Sequence, residues 1–205
     1  MKVVAINGSP RKDGNTAIMI GYVFEELEKE GIKTELIQIG GHSVHGCTGC
    51  NKCFENKNGH CVIDNDKVNR CIDKMVVADG IILGSPTYFA DVTAEMKALI
   101  DRAGRVCAAN CRSEDLSRSG GPFDGIFRLK VGVAVTVATR AGQIRAIDSM
   151  VNFFLITGMV VLGMADGIAM DIGDVKNDEV GIARARNTGR KMAWLLKIRE
   201  NAKST

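Results

Sequence analysis

Cys47, Cys50 and Cys53 follow one another in the run Cys47-Thr48-Gly49-Cys50-Asn51-Lys52-Cys53, and Cys61 comes shortly after. This C-x2-C-x2-C spacing lets tight turns, eased by Gly46 and Gly49, bring three thiolates to one metal centre, with Cys61 returning as a fourth ligand. Four thiolates admit a [4Fe–4S] cluster or a tetrahedral zinc ion. A triple run is iron–sulfur spacing, whereas structural zinc usually draws on two separated Cys pairs, so the cluster is the favoured reading. The bland alternative is metal-free thiols. Seven cysteines in 205 residues, four of them crowded together, speak against it in a chain with no sign of a disulfide framework. His42, His45 and His60 flank the run and read as solvated loop residues. Cys71, Cys107 and Cys111 stand outside any motif and read as small buried side chains.

A second chemistry-bearing segment is Gly8-Ser9-Pro10-Arg11-Lys12-Asp13-Gly14-Asn15-Thr16, between an apolar run and a helical pattern. At such a junction free backbone N–H groups and the helix dipole favour an anion. Ser9, Asn15 and Thr16 add hydroxyl and amide donors, and Arg11 adds a guanidinium. The loop lacks both the Gly-Lys-Ser/Thr ending of a triphosphate loop and the G-x-G-x-x-G of a dinucleotide fold, so a monophosphate suits it better. A plain helix cap by Asn15 or Thr16 is the competing account.

Positioning these groups requires strands and helices in alternation. Lys2–Asn7 is a β-branched run, and a helix begins near Asn15. Lys33–Ile39 alternates like a strand, and the polar, Gly-rich stretch Gly40–Asp64 is a long loop holding the thiols. A helical pattern from Val68 precedes a short buried strand, Gly80–Gly84, and another helix follows from Val92 to about Arg102. Val131–Val137 is a continuous apolar run of the kind parallel sheets bury on both faces, Met159–Leu162 is its shorter counterpart, and a last helix runs from about Asp178 to Lys197. Met150, Met159, Met164 and Met170 read as core fillers. The expectation is a single α/β domain over residues 1–205. It comprises a five-stranded parallel sheet with helices on both faces, a Cys-rich loop at 40–64 and an insertion at about 105–129.

If the strand order is the flavodoxin-like 2-1-3-4-5, strands one and three are neighbours and ligands bind at the carboxyl ends around that switch point. Ser85-Pro86-Thr87-Tyr88-Phe89 leaves the third strand, and Thr139-Arg140-Ala141-Gly142 leaves the fourth. Tyr88 and Phe89 would flank a planar ring, while Pro86, Thr87 and the backbone around Arg140 would bond its polar edge, which together with a monophosphate describes flavin mononucleotide (FMN).

Charge narrows the partners. Lys+Arg 27 against Asp+Glu 24, with 5% aromatics and no basic run, gives no footprint for nucleic acid. The longest charge-free stretch, Ser149–Ala165, falls short of the roughly 20 residues that span a bilayer, and the N-terminus lacks a secretory apolar segment, so a cytoplasmic protein is expected.

The phosphate loop, the compact Cys run, Ala78-Asp79-Gly80-Ile81-Ile82-Leu83-Gly84-Ser85-Pro86-Thr87-Tyr88-Phe89 and Met96-Lys97-Ala98-Leu99-Ile100-Asp101-Arg102 together resemble the NADPH-dependent FMN reductase superfamily, in particular its iron–sulfur flavoprotein branch. The resemblance runs from Met1 to about Arg199. It implies a flavodoxin-like three-layer sandwich with a five-stranded parallel sheet of order 2-1-3-4-5, FMN and a [4Fe–4S] cluster held by Cys47, Cys50, Cys53 and Cys61, with phosphate contacts from Ser9, Arg11, Asn15 and Thr16. It also implies flavin-ring contacts from Pro86, Thr87, Tyr88 and Phe89, a third flavin loop at Thr139, Arg140, Ala141 and Gly142, and a homodimer or homotetramer in which the two centres meet across subunits. The expected activity is an FMN-dependent oxidoreductase relaying electrons from a one-electron donor such as ferredoxin, through cluster and FMN, to a small-molecule acceptor. The alternative is an NAD(P)H-dependent flavin or quinone reductase whose Cys loop is structural. No acid–base residue is required for the relay.

Overall fold

A computed structural model of the chain describes residues 1–111 and 125–203. The polar stretch 112–124, the middle of the expected insertion, lies outside the described residues. The ends of that insertion are ordinary fold: its first residues continue a helix, and Phe127 is fully buried with its ring 6.0 Å from that of Phe153.

The chain alternates β1 (Lys2–Asn7), α1 (Asn15–Lys29), β2 (Lys33–Gln38), α2 (Lys52–Asn56), α3 (Val68–Val77), β3 (Gly80–Pro86), α4 (Ala94–Ala109), β4 (Val131–Ala138), α5 (Gln143–Ile156), β5 (Val160–Ile168), a 3₁₀ turn (Asp174–Asn177) and α6 (Glu179–Lys203). All five strands pair in parallel in the order β2-β1-β3-β4-β5, as expected. Parallel strands need helical crossovers, which cover both faces of the sheet.

Alternation along β1 divides the core. Val4 and Ile6 point to the face packed with Met75 of α3, Leu99 of α4 and Met150 of α5. Val3 and Ala5 point to the opposite face, against Ile20 and Val23 of α1 and Met192 of α6. β3 and β4, paired on both sides and covered on both faces, are buried almost throughout, which is why each reads as an unbroken apolar run. Each such Val, Leu or Ile contributes about 1.5–3 kcal/mol by leaving water.

β5 is an edge strand, and this corrects two expectations. It extends to Ile168 rather than stopping at Leu162, and alternate side chains face outward, so Met164 is 55% exposed. Met170, just beyond the strand, is 65% exposed; of the four methionines read as core, Met150 and Met159 are buried. β3 and α4 likewise run past their expected ends, to Pro86 and Ala109, and the Cys-rich segment contains the short helix α2. Among the described residues no helix is long and apolar enough to cross a membrane.

Candidate cofactor sites

A cavity of about 490 Å³ opens above the carboxyl ends of β1, β3 and β4. Ser9, Arg11, Asn15 and Thr16 line one side, Pro86, Thr87, Tyr88 and Phe89 another, and Thr139 a third, so three loops distant in sequence meet as expected. Arg140, Ala141 and Gly142 do not line it. Gly142 instead supports the wall: at φ +95° it lies so close to the middle loop that an added Cβ would stand 2.9 Å from Ala90 Cα and 3.0 Å from Thr87 Cγ2.

The phosphate loop is fixed from below by side chains of the sheet. Asn7, fully buried at the end of β1, accepts from the Ser9 backbone N–H at 3.0 Å and donates to Gln38 Oε1 at 2.8 Å. Gln38 in turn donates through Nε2 to the Ser9 and Gly40 carbonyl oxygens. The Ser9 hydroxyl accepts from the Arg11 N–H at 3.2 Å, which shapes the loop into a turn and leaves the hydroxyl proton free to donate. Asn15 is differently engaged. Its amide donates to the Asp171 carbonyl at 2.7 Å and accepts from the Gly173 N–H at 2.8 Å, tying the start of α1 to the loop after β5.

The middle loop is a two-residue hairpin. Tyr88 and Asp91 exchange backbone hydrogen bonds at 2.8 and 3.1 Å, and the residues between them, Phe89 and Ala90, sit at φ +49° and +67°. Left-handed backbone costs a residue with a Cβ roughly 1–2 kcal/mol, so this turn is held against local preference. It leaves Tyr88 half exposed and Phe89 fully exposed at the mouth of the cavity. Thr87 is anchored through its N–H to the Val137 carbonyl at 2.8 Å, with its hydroxyl 3.1 Å from that of Thr136.

The four clustered cysteines share a second, much smaller cavity. Cys47, Cys50, Cys53 and Cys61 line it together with Arg102 and Arg105 of α4, and no carboxylate does. Positive-φ residues make the turns: Gly49 (φ +67°), Asn51 (φ +58°) and Gly59 (φ +80°). Two helices then grip the loop. Asn69 of α3 accepts from the Cys61 N–H at 2.9 Å and donates to the Cys61 carbonyl at 2.8 Å. On α4, Arg105 stacks 4.6 Å over the Phe54 ring and donates to the Asn51 side chain. The backbone N–H of Lys52, joined by the Thr48 hydroxyl, holds the exposed Cys50 thiol below its ordinary range, while burial pushes Cys53 up. Cys71 and Cys107 are pushed up by burial to about 12 and about 11, which fits inert apolar side chains. His60 pairs with Asp73 and His42 with Lys67. No three His, Cys, Asp or Glu side chains among the described residues are grouped to hold a single ion.

The sequence profile described as NADPH-dependent FMN reductase matches residues 1–169. The chain belongs to this family. Within the FMN reductases it is 40% identical over 208 residues to an iron-sulfur flavoprotein of Methanocaldococcus jannaschii, covering 97% of this chain and 98% of that protein. Among solved structures, a flavone reductase superposes with TM-score 0.73 at 22% identity, covering 98% of this chain and 64% of that one. A flavodoxin from the domain Archaea gives 0.58 at 16% identity, covering 96% and 99%. At such identities the structural matches speak to the fold alone. Family membership makes the chain an FMN-dependent oxidoreductase of the iron–sulfur flavoprotein branch.

For an FMN reductase the first cavity has the required chemistry: hydroxyls at Ser9, Thr16 and Thr87, a guanidinium at Arg11, and aromatic faces at its mouth. Ala169 and Met170 add a fourth wall, which sequence reasoning missed because no motif marks the exit of an edge strand. Asn7, Gln38 and Gly40 were missed for a different reason. They support the loop without touching the cavity, and only the β1–β2 pairing brings them beneath it.

Proposed function

We propose that the chain relays electrons between a one-electron protein donor of the ferredoxin type and a small-molecule acceptor, using a [4Fe–4S] cluster held by Cys47, Cys50, Cys53 and Cys61 and an FMN held by the three-loop cavity. The observation that carries this reading is that the four thiols line one cavity whose other charged walls are two arginines. Thiolate ligands leave such a cluster with net negative charge, and cationic neighbours complement it. When bound, the cluster supplies one-electron chemistry and the flavin two-electron chemistry. The protein's part is to hold the phosphate at Ser9, Arg11 and Thr16, to keep the flavin ring between the Thr87–Phe89 and Thr139 loops, and to keep the thiols on a separate loop.

Assembly as a homodimer or homotetramer is part of the reading. It is supported by an apolar groove of about 850 Å³ between α4 and α5, where Cys47 of the thiol loop borders Ile100, Phe153 and Ile156. Pairing of this face with its copy about a two-fold axis would put the thiol loop at a subunit interface.

The family's description as NADPH-dependent supports a second reading, direct hydride transfer from NAD(P)H with a structural Cys loop. Anaerobic stopped-flow separates the two. Fast flavin reduction by reduced ferredoxin and slow reduction by NAD(P)H is expected; rapid bleaching by NAD(P)H with ferredoxin inert would favour hydride transfer. Iron, sulfide and zinc analysis of protein purified without oxygen tests the cluster itself.

A further inference from the structure

Arg102 is the largest fully buried side chain of the described residues, with its side chain 0% exposed. A buried guanidinium is tolerated only when its charge is paired and its donors are met. Most of it is accounted for. Nη1 donates to Asp66 Oδ2 at 2.5 Å and to the His45 carbonyl at 3.1 Å, and Nη2 donates to the Ile63 carbonyl at 2.5 Å. Asp66 Oδ2 also accepts from the His45 N–H at 3.2 Å.

These partners have a pattern. His45 lies two residues before Cys47, and Ile63 two residues after Cys61, so one guanidinium fastens both ends of the ligand-bearing segment to α4. What is left over is Nε. It is buried and has no hydrogen-bond partner, the one such side-chain nitrogen or oxygen among the described residues. Arg102 also forms part of the wall of the cavity lined by Cys47, Cys50, Cys53 and Cys61. A buried donor left unmet in so well satisfied a group calls for an explanation, and an acceptor held in the adjoining cavity supplies one.

We infer that Arg102 is a positioning residue for the cluster: its Nη groups close the base of the Cys47–Cys61 segment, and its unpartnered Nε–H donates to a sulfur of the centre held there. This rests on the cluster reading given above. Hydrogen bonds to cluster sulfurs and nearby positive charge favour the reduced, more negative state, so Arg102 raises the reduction potential of the centre. Asp66 neutralises part of that charge and acts in the opposite sense.

The test compares anaerobically purified wild type, Arg102→Lys and Asp66→Asn. Arg102→Lys keeps a cation for Asp66 but removes the planar fork and Nε, whereas Asp66→Asn keeps Nε and removes the countercharge. Measured quantities are iron and sulfide per chain, flavin content and thermal unfolding as a check of the fold, and the cluster's midpoint potential by EPR-monitored titration with dithionite. For Arg102→Lys the expectation is a folded, flavin-loaded protein that loses iron and sulfide, or whose reduction equilibrium shifts at least tenfold toward the oxidised state, 59 mV for a one-electron couple. For Asp66→Asn the shift runs the other way. Full iron with an unchanged potential in Arg102→Lys overturns the assignment. If Arg102→Lys fails to fold, Asp66→Asn decides: an upward shift supports the role, and an unchanged or lower potential overturns it. Wild-type protein without iron and sulfide sinks the cluster reading itself, and this inference with it.

Discussion

The Asn15 side chain is bound to the loop that begins at Asp171, 156 residues further along the chain, by an amide donating at 2.7 Å to the Asp171 carbonyl and accepting at 2.8 Å from the Gly173 N–H. The amide oxygen and one of the two amide N–H groups are therefore engaged by backbone. The bonds tie the start of α1 to the segment just after Ala169 and Met170, which line the same cavity as Asn15.

Asn15→Ala should weaken FMN and riboflavin alike, by roughly fivefold for a loss of about 1 kcal/mol of net hydrogen bonding. Arg11→Ala is the contrasting control, with a loss of about 1.5–3 kcal/mol confined to FMN because it removes a charge-assisted phosphate contact. Titration of apoprotein with each flavin, followed by fluorescence quenching, measures both. A loss confined to FMN in Asn15→Ala would return that residue to the phosphate.

Gly40 supplies a second test, because a Cβ there would stand 2.3 Å from the Gly8 carbonyl oxygen and 2.4 Å from the Ser9 carbonyl carbon. Backbone cannot rotate away as a side chain does, so Gly40→Ala must push the phosphate loop off the end of β2. The expected result is FMN affinity lowered at least tenfold, about 1.4 kcal/mol, with stability lowered by about 1–3 kcal/mol. Calorimetric titration and thermal unfolding of the apoprotein measure the two effects, and unchanged FMN affinity would mean that the loop does not hold the phosphate.

What the sequence made legible follows from how local each signal is. β1 and β4 are continuous apolar runs because both faces are covered, and their limits could be read almost to the residue. β5 could not. Gly163, Asp166 and Gly167 interrupt its apolar pattern, and as an edge strand it leaves Met164 and Ile168 exposed. The cavity residues after β1 and β3 announced themselves by type and position. The phosphate-loop supports and the role of Asn15 depend instead on pairings between segments far apart in sequence, which no local spacing encodes. Arg102 was visible as part of a motif, but its work is set by Asp66, His45 and Ile63, whose approach only the tertiary fold reveals.

Glu35 joins three elements and gives the fold a defined acid response. On β2 it receives Lys2 of β1 at 2.6 Å and Lys74 of α3 at 2.8 Å. The hydrogen bonds from Lys2 and then Lys74 hold its carboxyl below the ordinary glutamate value of 4.5, outweighing partial burial. A depressed folded-state value means that the unfolded chain takes up the proton first. The stabilisation is thus present above pH 4.5 and lost as pH falls through the folded value. Glu35→Gln should cost about 1 kcal/mol at pH 7, a modest figure because all three side chains keep some contact with water. Urea unfolding from pH 7 to pH 3 should show the wild-type advantage shrinking on the acid side, and an advantage independent of pH would assign Glu35 a packing role.

The separation of the two cavities leads to the last prediction. Cys50 lies on the thiol loop between β2 and α3 and lines only the small cavity, whereas the flavin cavity is built from the exits of β1, β3, β4 and β5. Neither site draws a side chain from the other. Cys50→Ser exchanges a soft thiolate for a hard, weakly acidic hydroxyl, which iron–sulfur ligation tolerates poorly. It should therefore lose iron and sulfide while keeping one FMN per chain and the wild-type flavin spectrum. Reduction by a ferredoxin-type donor should slow by at least tenfold, while dithionite still bleaches the flavin. Iron and flavin analysis with anaerobic stopped-flow checks each part. Full iron content with wild-type donor kinetics would remove Cys50 from the ligand set, and loss of FMN together with the iron would mean that the thiol loop completes the flavin site, as it would if a second copy placed the two centres against each other.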